Sequence, residues 1–142
     1  MRDADKGYAF FDHTADIGIC AQGTTLGELF IRMAQGLVEL LAEDSILTPQ
    51  QARAVQLSAK DADSLLLAWL QEILFWFSTD RFLTVQYALD EVTPTQLRGQ
   101  VRGATFDPSR HAQGREVKAI TRHLLEVRRE PGGWSGRVIV DI

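Results

Sequence analysis

Val117-Lys118-Ala119-Ile120-Thr121-Arg122-His123-Leu124-Leu125-Glu126-Val127-Arg128, running on through Glu130-Pro131-Gly132-Gly133 to Trp134-Ser135-Gly136-Arg137-Val138-Ile139-Val140-Asp141-Ile142, is the stretch that decides the fold. Residues 117–128 are long enough for a helix. Yet Val117, Ala119, Thr121, His123, Leu125 and Val127 recur at period two, the repeat of a strand with one buried face. The Pro-Gly-Gly break and the alternation from Trp134 to Asp141 predict a closing β-hairpin. Phe82–Leu89 and Gln96–Gly103, parted by Thr93-Pro94, are strand-like too, and a Gly, Pro and Ser-containing loop follows at Asp107–Gly114.

Ahead of Phe82 the period changes. Leu26, Leu29, Phe30, Met33, Leu37, Leu40 and Leu41 fall at helical intervals behind a Thr25 to Glu28 capping box, which predicts a helix ending near Ala42. A second helix, about Ser64 to Ser78, follows Asp61-Ala62-Asp63 and is apolar almost all round, so it should lie buried across a sheet. Val55, Leu57 and Ala59 alternate with polar residues and predict a half-wet strand. Tyr8–Phe11 and Ile17–Ala21 read as two strands joined by a kinked corner at Asp12. Helices early and strands late mean α+β: a mixed or antiparallel sheet packed against two helices.

Composition bounds the remaining choices. The 142 residues suit one domain, read here as a flexible arm over residues 1–6 and a single unit over 7–142. One cysteine, Cys20, excludes an internal disulfide and a thiolate zinc site and fits a reducing, cytoplasmic setting. The start is charged and lacks the apolar core of a signal peptide, and Leu65–Phe77 is too short and too interrupted to span a bilayer. Net charge is −4, unevenly spread: residues 1–94 carry 6 Lys/Arg against 14 Asp/Glu, residues 95–142 carry 9 against 5. Such a chain is a poor stand-alone nucleic-acid binder, because phosphate neutralisation by cations supplies most of that affinity. The arginines of the last third, Arg110, Arg115, Arg122, Arg128 and Arg137, form a scattered set suited to solvated faces.

Chemistry concentrates in acids. Asp12-His13-Thr14-Ala15-Asp16 sets two carboxylates on a short corner, and Asp141 precedes the terminal carboxylate of Ile142. If the end strands lie side by side, these oxygens make a nest for a hard divalent cation. On spacing alone the signal is weak, since Asp in turns is common: Asp12 capping the bend, Asp16 bonding a local turn and a solvated end for Asp141 stay open. His13, His111 and His123 are not at zinc-binding intervals, and no phosphate loop, nucleophile elbow or Cys/His pair is present. Lys118, on the polar side of its strand, reads either as solvated or as a cation for carboxylates or phosphate.

Tyr8-Ala9-Phe10-Phe11-Asp12-His13-Thr14-Ala15-Asp16-Ile17-Gly18-Ile19, Gly114-Arg115-Glu116-Val117-Lys118-Ala119-Ile120-Thr121, Trp134 and Val140-Asp141-Ile142 together resemble the archease family, in order and spacing, over nearly the whole chain. Ala9 stands where a Glu is common, and Arg122 where an aromatic is usual. The resemblance implies an α+β fold and a protein cofactor that activates an RtcB-type RNA ligase, promoting guanylylation and multiple turnover in tRNA splicing and RNA repair. It implies no catalysis by this chain itself, and contact with RNA only through the ligase. Carried over by residue, it implies metal-binding acids at Asp16 and Asp141 with Asp12 and Ile142 beside them, and contacts for activity at Glu116, Lys118 and His13. Oxygen-only ligands point to Ca²⁺ first, then Mg²⁺ or Mn²⁺. Two other readings fit the same residues: a chaperone-like interaction module without metal, and a small metal-dependent RNA-end hydrolase.

Overall fold

The computed structural model describes residues 6–13, 16–43 and 45–142, with His13 in its backbone alone. The predicted arm therefore falls, apart from Lys6, outside the described residues, as does the Thr14-Ala15 corner. The elements run β1 (Tyr8–His13), β2 (Asp16–Gly23), α1 (Leu26–Leu41), β3 (Gln51–Ser58), α2 (Ala62–Asp80), β4 (Phe82–Val92), β5 (Gln96–Thr105), β6 (Ala119–Ile120), β7 (Glu126–Glu130) and β8 (Gly133–Asp141). The fold is α+β. Every pairing is antiparallel, and the strands divide between two sheets where the sequence suggested one.

The larger sheet has the order β1-β2-β8-β6, with β7 also on β8, and the smaller has β3-β5-β4. First and last strands of the chain thus become neighbours through β2 and β8. Ile17, Ile19, Val138 and Val140 alternate onto one face of the larger sheet and join the core with Leu29, Phe30, Met33 and Leu37 of α1. Helix α1 packs on β1, β2 and β8 and also on β4, while α2 reaches β3, β4 and β5 on one side and β6 and β7 on the other. The two helices are tied by the buried indole of Trp69, whose Nε1–H donates to the Phe30 carbonyl at 2.9 Å. As its composition predicts, α2 is largely enclosed; Phe75 is the exception among its large apolar side chains, 59% exposed.

Local chemistry sets the ends of both helices. Thr25 Oγ1 accepts the Glu28 backbone N–H at 3.0 Å, and Glu28 returns its carboxylate to the N–H of Thr24 rather than of Thr25, so the capping box closes one residue early. Asp61 caps α2 by accepting the Ser64 N–H at 2.8 Å. The far end of α1 is closed by a distant segment: the N–H groups of Gly114 and Arg115 donate to the orphan carbonyls of Leu41 and Leu40. A side chain at position 114 would sit 2.0 Å from the Leu40 oxygen, so only glycine lets that loop come down on the helix.

One strand departs from its sequence reading. Residues 117–128 form no single strand at period two, but two short ones, β6 and β7, separated by an excursion over 121–125. Five residues there face only Val138 and Ile139 of β8. Thr121 donates its hydroxyl to the Ile139 carbonyl at 2.7 Å, and Leu124 turns the chain at φ 56°. The phase therefore slips: Val117 and Ile120 are buried, while Ala119 and His123 are exposed. Beyond it the hairpin closes as expected, Glu130 pairing with Gly133 across Pro131-Gly132.

Candidate functional site

Asp16 opens β2, Asp141 closes β8, and the antiparallel register sets them directly opposite each other. On the far side of Asp141 stands Ala119, and on the far side of Asp16 stands His13. The row is therefore His13, Asp16, Asp141, Ala119, drawn from both ends of the chain and lying on the sheet face turned away from α1. Directly opposed residues have Cα atoms roughly 4.5–5.5 Å apart, close enough for two carboxylates to share one ion at the roughly 2.3–2.6 Å of a calcium–oxygen bond. Like charges so placed destabilise a sheet. A cation between them would remove that penalty, and both residues are half-buried rather than enclosed, which leaves room for water or a partner's groups.

The neighbouring segment is held onto this row. The Lys118 backbone N–H donates to the Asp141 carbonyl at 2.8 Å, while Val117 turns inward and leaves Glu116 and Lys118 exposed on either side of it. Upstream, the same segment is anchored by the α1 end at Gly114 and Arg115. Glu116 and Lys118 thus lead from a helix cap to the acid row.

Asp12 behaves differently from the sequence expectation. It lies within β1, not on a bend, and pairs with Ile17, whose side chain is in the core. Alternation therefore sends its side chain to the helix side, opposite to Asp16 and Asp141. Ile142, the residue after Asp141, packs its side chain on the core edge. Among the described residues, no three His, Cys, Asp or Glu side chains gather closely enough to hold a metal ion. The structure brings together two of the three acids named from sequence.

What the sequence reading missed is the pair behind the row. Gly18, opposite Ile139, has no side chain, and the ring of Phe11 occupies the space above it: a Cβ on Gly18 would lie 2.1 Å from the ring. The signal was a lone Gly in the middle of an apolar strand, which marks a close approach.

Comparison with known proteins gives a consistent picture. A model of the Archease protein family matches residues 8–142. The chain is 35% identical to the protein archease of Methanothermobacter thermautotrophicus over 140 residues, covering 96% of this chain and 99% of that one. It is 31% identical to the archease of Methanosarcina acetivorans over 146 residues, the full length of both. Among solved structures, the solution structure of Methanobacterium thermoautotrophicum protein 1598 superposes with a TM-score of 0.80 at 34% identity, over 96% of this chain and 99% of that one. A crystal structure from Thermotoga maritima, described as an archease and possible chaperone, shares the fold with a TM-score of 0.62 at 17% identity, over 93% and 94% of the two chains. No described helix is long and apolar enough to cross a membrane.

Proposed function

Starting from a chain that belongs to the archease family, we propose that it is a cation-binding protein cofactor of an RtcB-type RNA ligase, raising the ligase's guanylylation and turnover in tRNA splicing and RNA repair without catalysing a step itself. The observation that carries this reading is the direct opposition of Asp16 and Asp141 across β2 and β8. Two carboxylates alone fill a minority of the six to eight positions of a calcium ion. Such an incomplete shell suits a group that meets a partner's site rather than a closed structural metal. Ca²⁺ is the first choice and Mg²⁺ or Mn²⁺ the alternatives, bound by Asp16 and Asp141, with Ile142 beside them. Asp12 would join only from the opposite face of its strand. Glu116 and Lys118 are exposed and offer polar contacts for the ligase, His13 at the end of the row is a further contact, and RNA is met through that partner. The setting this implies is the cytoplasm.

The test is RNA ligation with the ligase well below stoichiometry, using a cyclic-phosphate or 3′-phosphate end and a 5′-hydroxyl end. The wild-type chain should increase product per ligase. Asp16→Asn and Asp141→Asn should lose most of that stimulation, roughly tenfold or more if each removes a charged ligand, while Arg98→Gln on the other sheet should not. Full stimulation by both acid variants would sink the proposal.

A chaperone-like module is the second reading, favoured by exposed apolar side chains at Ile46 and Phe75, 88% and 59% exposed. It predicts stimulation indifferent to both acid variants. Incubation of the chain with the cyclic-phosphate RNA and no ligase separates the hydrolase: turnover by the chain alone would establish it.

A further inference from the structure

A second feature lies away from the acid row, reaching from the outer face of the larger sheet round the start of β1 to α1. Cys20 stands four residues along β2 from Asp16, about 13 Å at the rise of a strand. Around it opens a cavity of about 480 Å³, within the range of roughly 300–1,000 Å³ usual for small-molecule sites. Its floor is made of short side chains, Ala9, Cys20 and Ser135, and its rim carries three guanidiniums, Arg32, Arg128 and Arg137. The sequence reading put Arg128 and Arg137 in a scattered set on solvated faces and did not single out Arg32; Arg32 comes from α1, Arg128 from β7 and Arg137 from β8.

Two of the three are aimed by the main chain. Arg32 donates from Nη1 to the Gln22 carbonyl at 2.7 Å, and Arg137 donates from Nε to the Leu124 carbonyl at 2.8 Å. The second of these uses the carbonyl exposed by the 121–125 excursion. A guanidinium anchored in this way loses less freedom on capturing a ligand, and its remaining N–H groups keep a fixed direction. Those groups are only partly served: Glu28 stands 3.5 Å from Arg32 Nη1. Glu126 stands 3.8 Å from Arg137 and 3.9 Å from Arg128, beyond the reach of a good hydrogen bond. Glu130 is engaged elsewhere, accepting from the Ser135 hydroxyl at 2.8 Å and from Arg128 at 3.4 Å. The floor brings no opposing charge, because burial raises the Cys20 thiol above its ordinary range, against a smaller lowering by the Ala9 backbone.

We propose that this cavity binds a terminal phosphomonoester, on a free nucleotide or at the end of an RNA strand, between the forks of Arg32 and Arg137. The planar guanidinium pairs with phosphate through two parallel hydrogen bonds, and a doubly charged monoester suits two such groups better than a diester does. The volume admits one nucleotide and no more of a strand. The site stands apart from the acid row and needs no ligase; an RNA end held here would be a direct contact in addition to the one made through the ligase, so failure here leaves the ligase reading untouched.

The experiment is a titration of the ¹⁵N-labelled full chain, in low salt, with adenosine 3′-monophosphate, with a short RNA ending in a 3′-phosphate and with the same RNA ending in a 3′-hydroxyl. Saturable shifts at the Ala9, Cys20 and Ser135 amides are expected with at least one phosphorylated probe. Response to both shows that a free nucleotide suffices; response to the phosphorylated RNA alone shows that the strand is required. Arg137→Gln should weaken binding roughly tenfold or more, whereas Glu126→Gln, which removes the competing carboxylate, should tighten it. A cavity arginine serving only to hold the hairpin together would not give those opposite signs. No saturable shift at low millimolar ligand, equal binding of the 3′-hydroxyl RNA, or an unchanged affinity in Arg137→Gln each overturns the proposal.

Discussion

Asp12 and Asp16 show how one residue of register decides what a side chain can do. Four positions apart and both acidic, they look like one feature in the sequence. The β1–β2 register, however, sets His13 against Asp16, and Asp12 then falls on the other face of the sheet with Ile17. Residue type pointed to the acids; only the turn position fixes which of them meet, and nothing in Thr14-Ala15 marks a hairpin as Asn-Gly would. Gly18 carries the complementary lesson, since its value lies in what it lacks. With Ala there, the new methyl would meet the Phe11 ring at 2.1 Å, and the ring must swing off the sheet. Gly18→Ala should therefore destabilise the chain by about 1–3 kcal/mol, the usual cost of overpacking, read as a lower urea midpoint at unchanged slope. An unshifted midpoint would mean that the ring is not held over the glycine.

Elements whose sequences agree with their surroundings were legible almost to the residue. Helix α1 shows why: its apolar spacing, its Thr25 cap and its first-turn Glu28 all ask for the same structure. Thr25→Ala should cost about 1 kcal/mol, as loss of a hydroxyl N-cap does, measurable by chemical unfolding. Glu28 adds a pH signature. The Thr24 N–H is the chief cause holding its carboxyl below the ordinary value of 4.5, with Arg32 assisting and slight burial opposing. A depressed folded-state pKa contributes stability that is present above the unfolded-state value and lost as pH falls through the folded one. Glu28→Gln should accordingly lower stability at neutral pH, and its difference from wild type should close on acidification below about pH 4.5; a gap that persists at pH 2 would contradict the linkage. The β6–β7 region was not legible in the same way, because its period-two pattern is real in composition but broken in space. Leu124 adopts a left-handed backbone that leucine rarely chooses, its carbonyl accepts from Arg137 of β8, and the excursion's own Thr121 hydroxyl donates to the Ile139 carbonyl of β8. Contacts across strands supplied that bend, and no local pattern encodes them.

For the molecule as a whole, the acid row depends on long-range order, since Asp16 and Asp141 meet only when the first hairpin and the last strand lie in one sheet. The sequence suggested that the end strands come together, and the β2–β8 register does bring them together. It could not show that the remaining strands form a second sheet, because alternation identifies a strand without identifying its partner. A site built from both ends of a chain couples ligand binding to global stability. Any cation that binds the folded row and not the unfolded chain stabilises by RT ln(1 + [L]/Kd), about 2.7 kcal/mol at a hundredfold excess over Kd, or roughly 5–10 °C in melting temperature for a chain of this size. Wild type should therefore gain several degrees on titration with Ca²⁺. Asp141→Asn removes the opposed like charge, so without metal it should equal or exceed wild type by up to about 1 kcal/mol, and Ca²⁺ should then move it little. The two effects have opposite signs at one position, which separates charge relief from general damage to β8. A Ca²⁺ response of equal size in Asp141→Asn, or none in wild type, would remove the cation from between these strands.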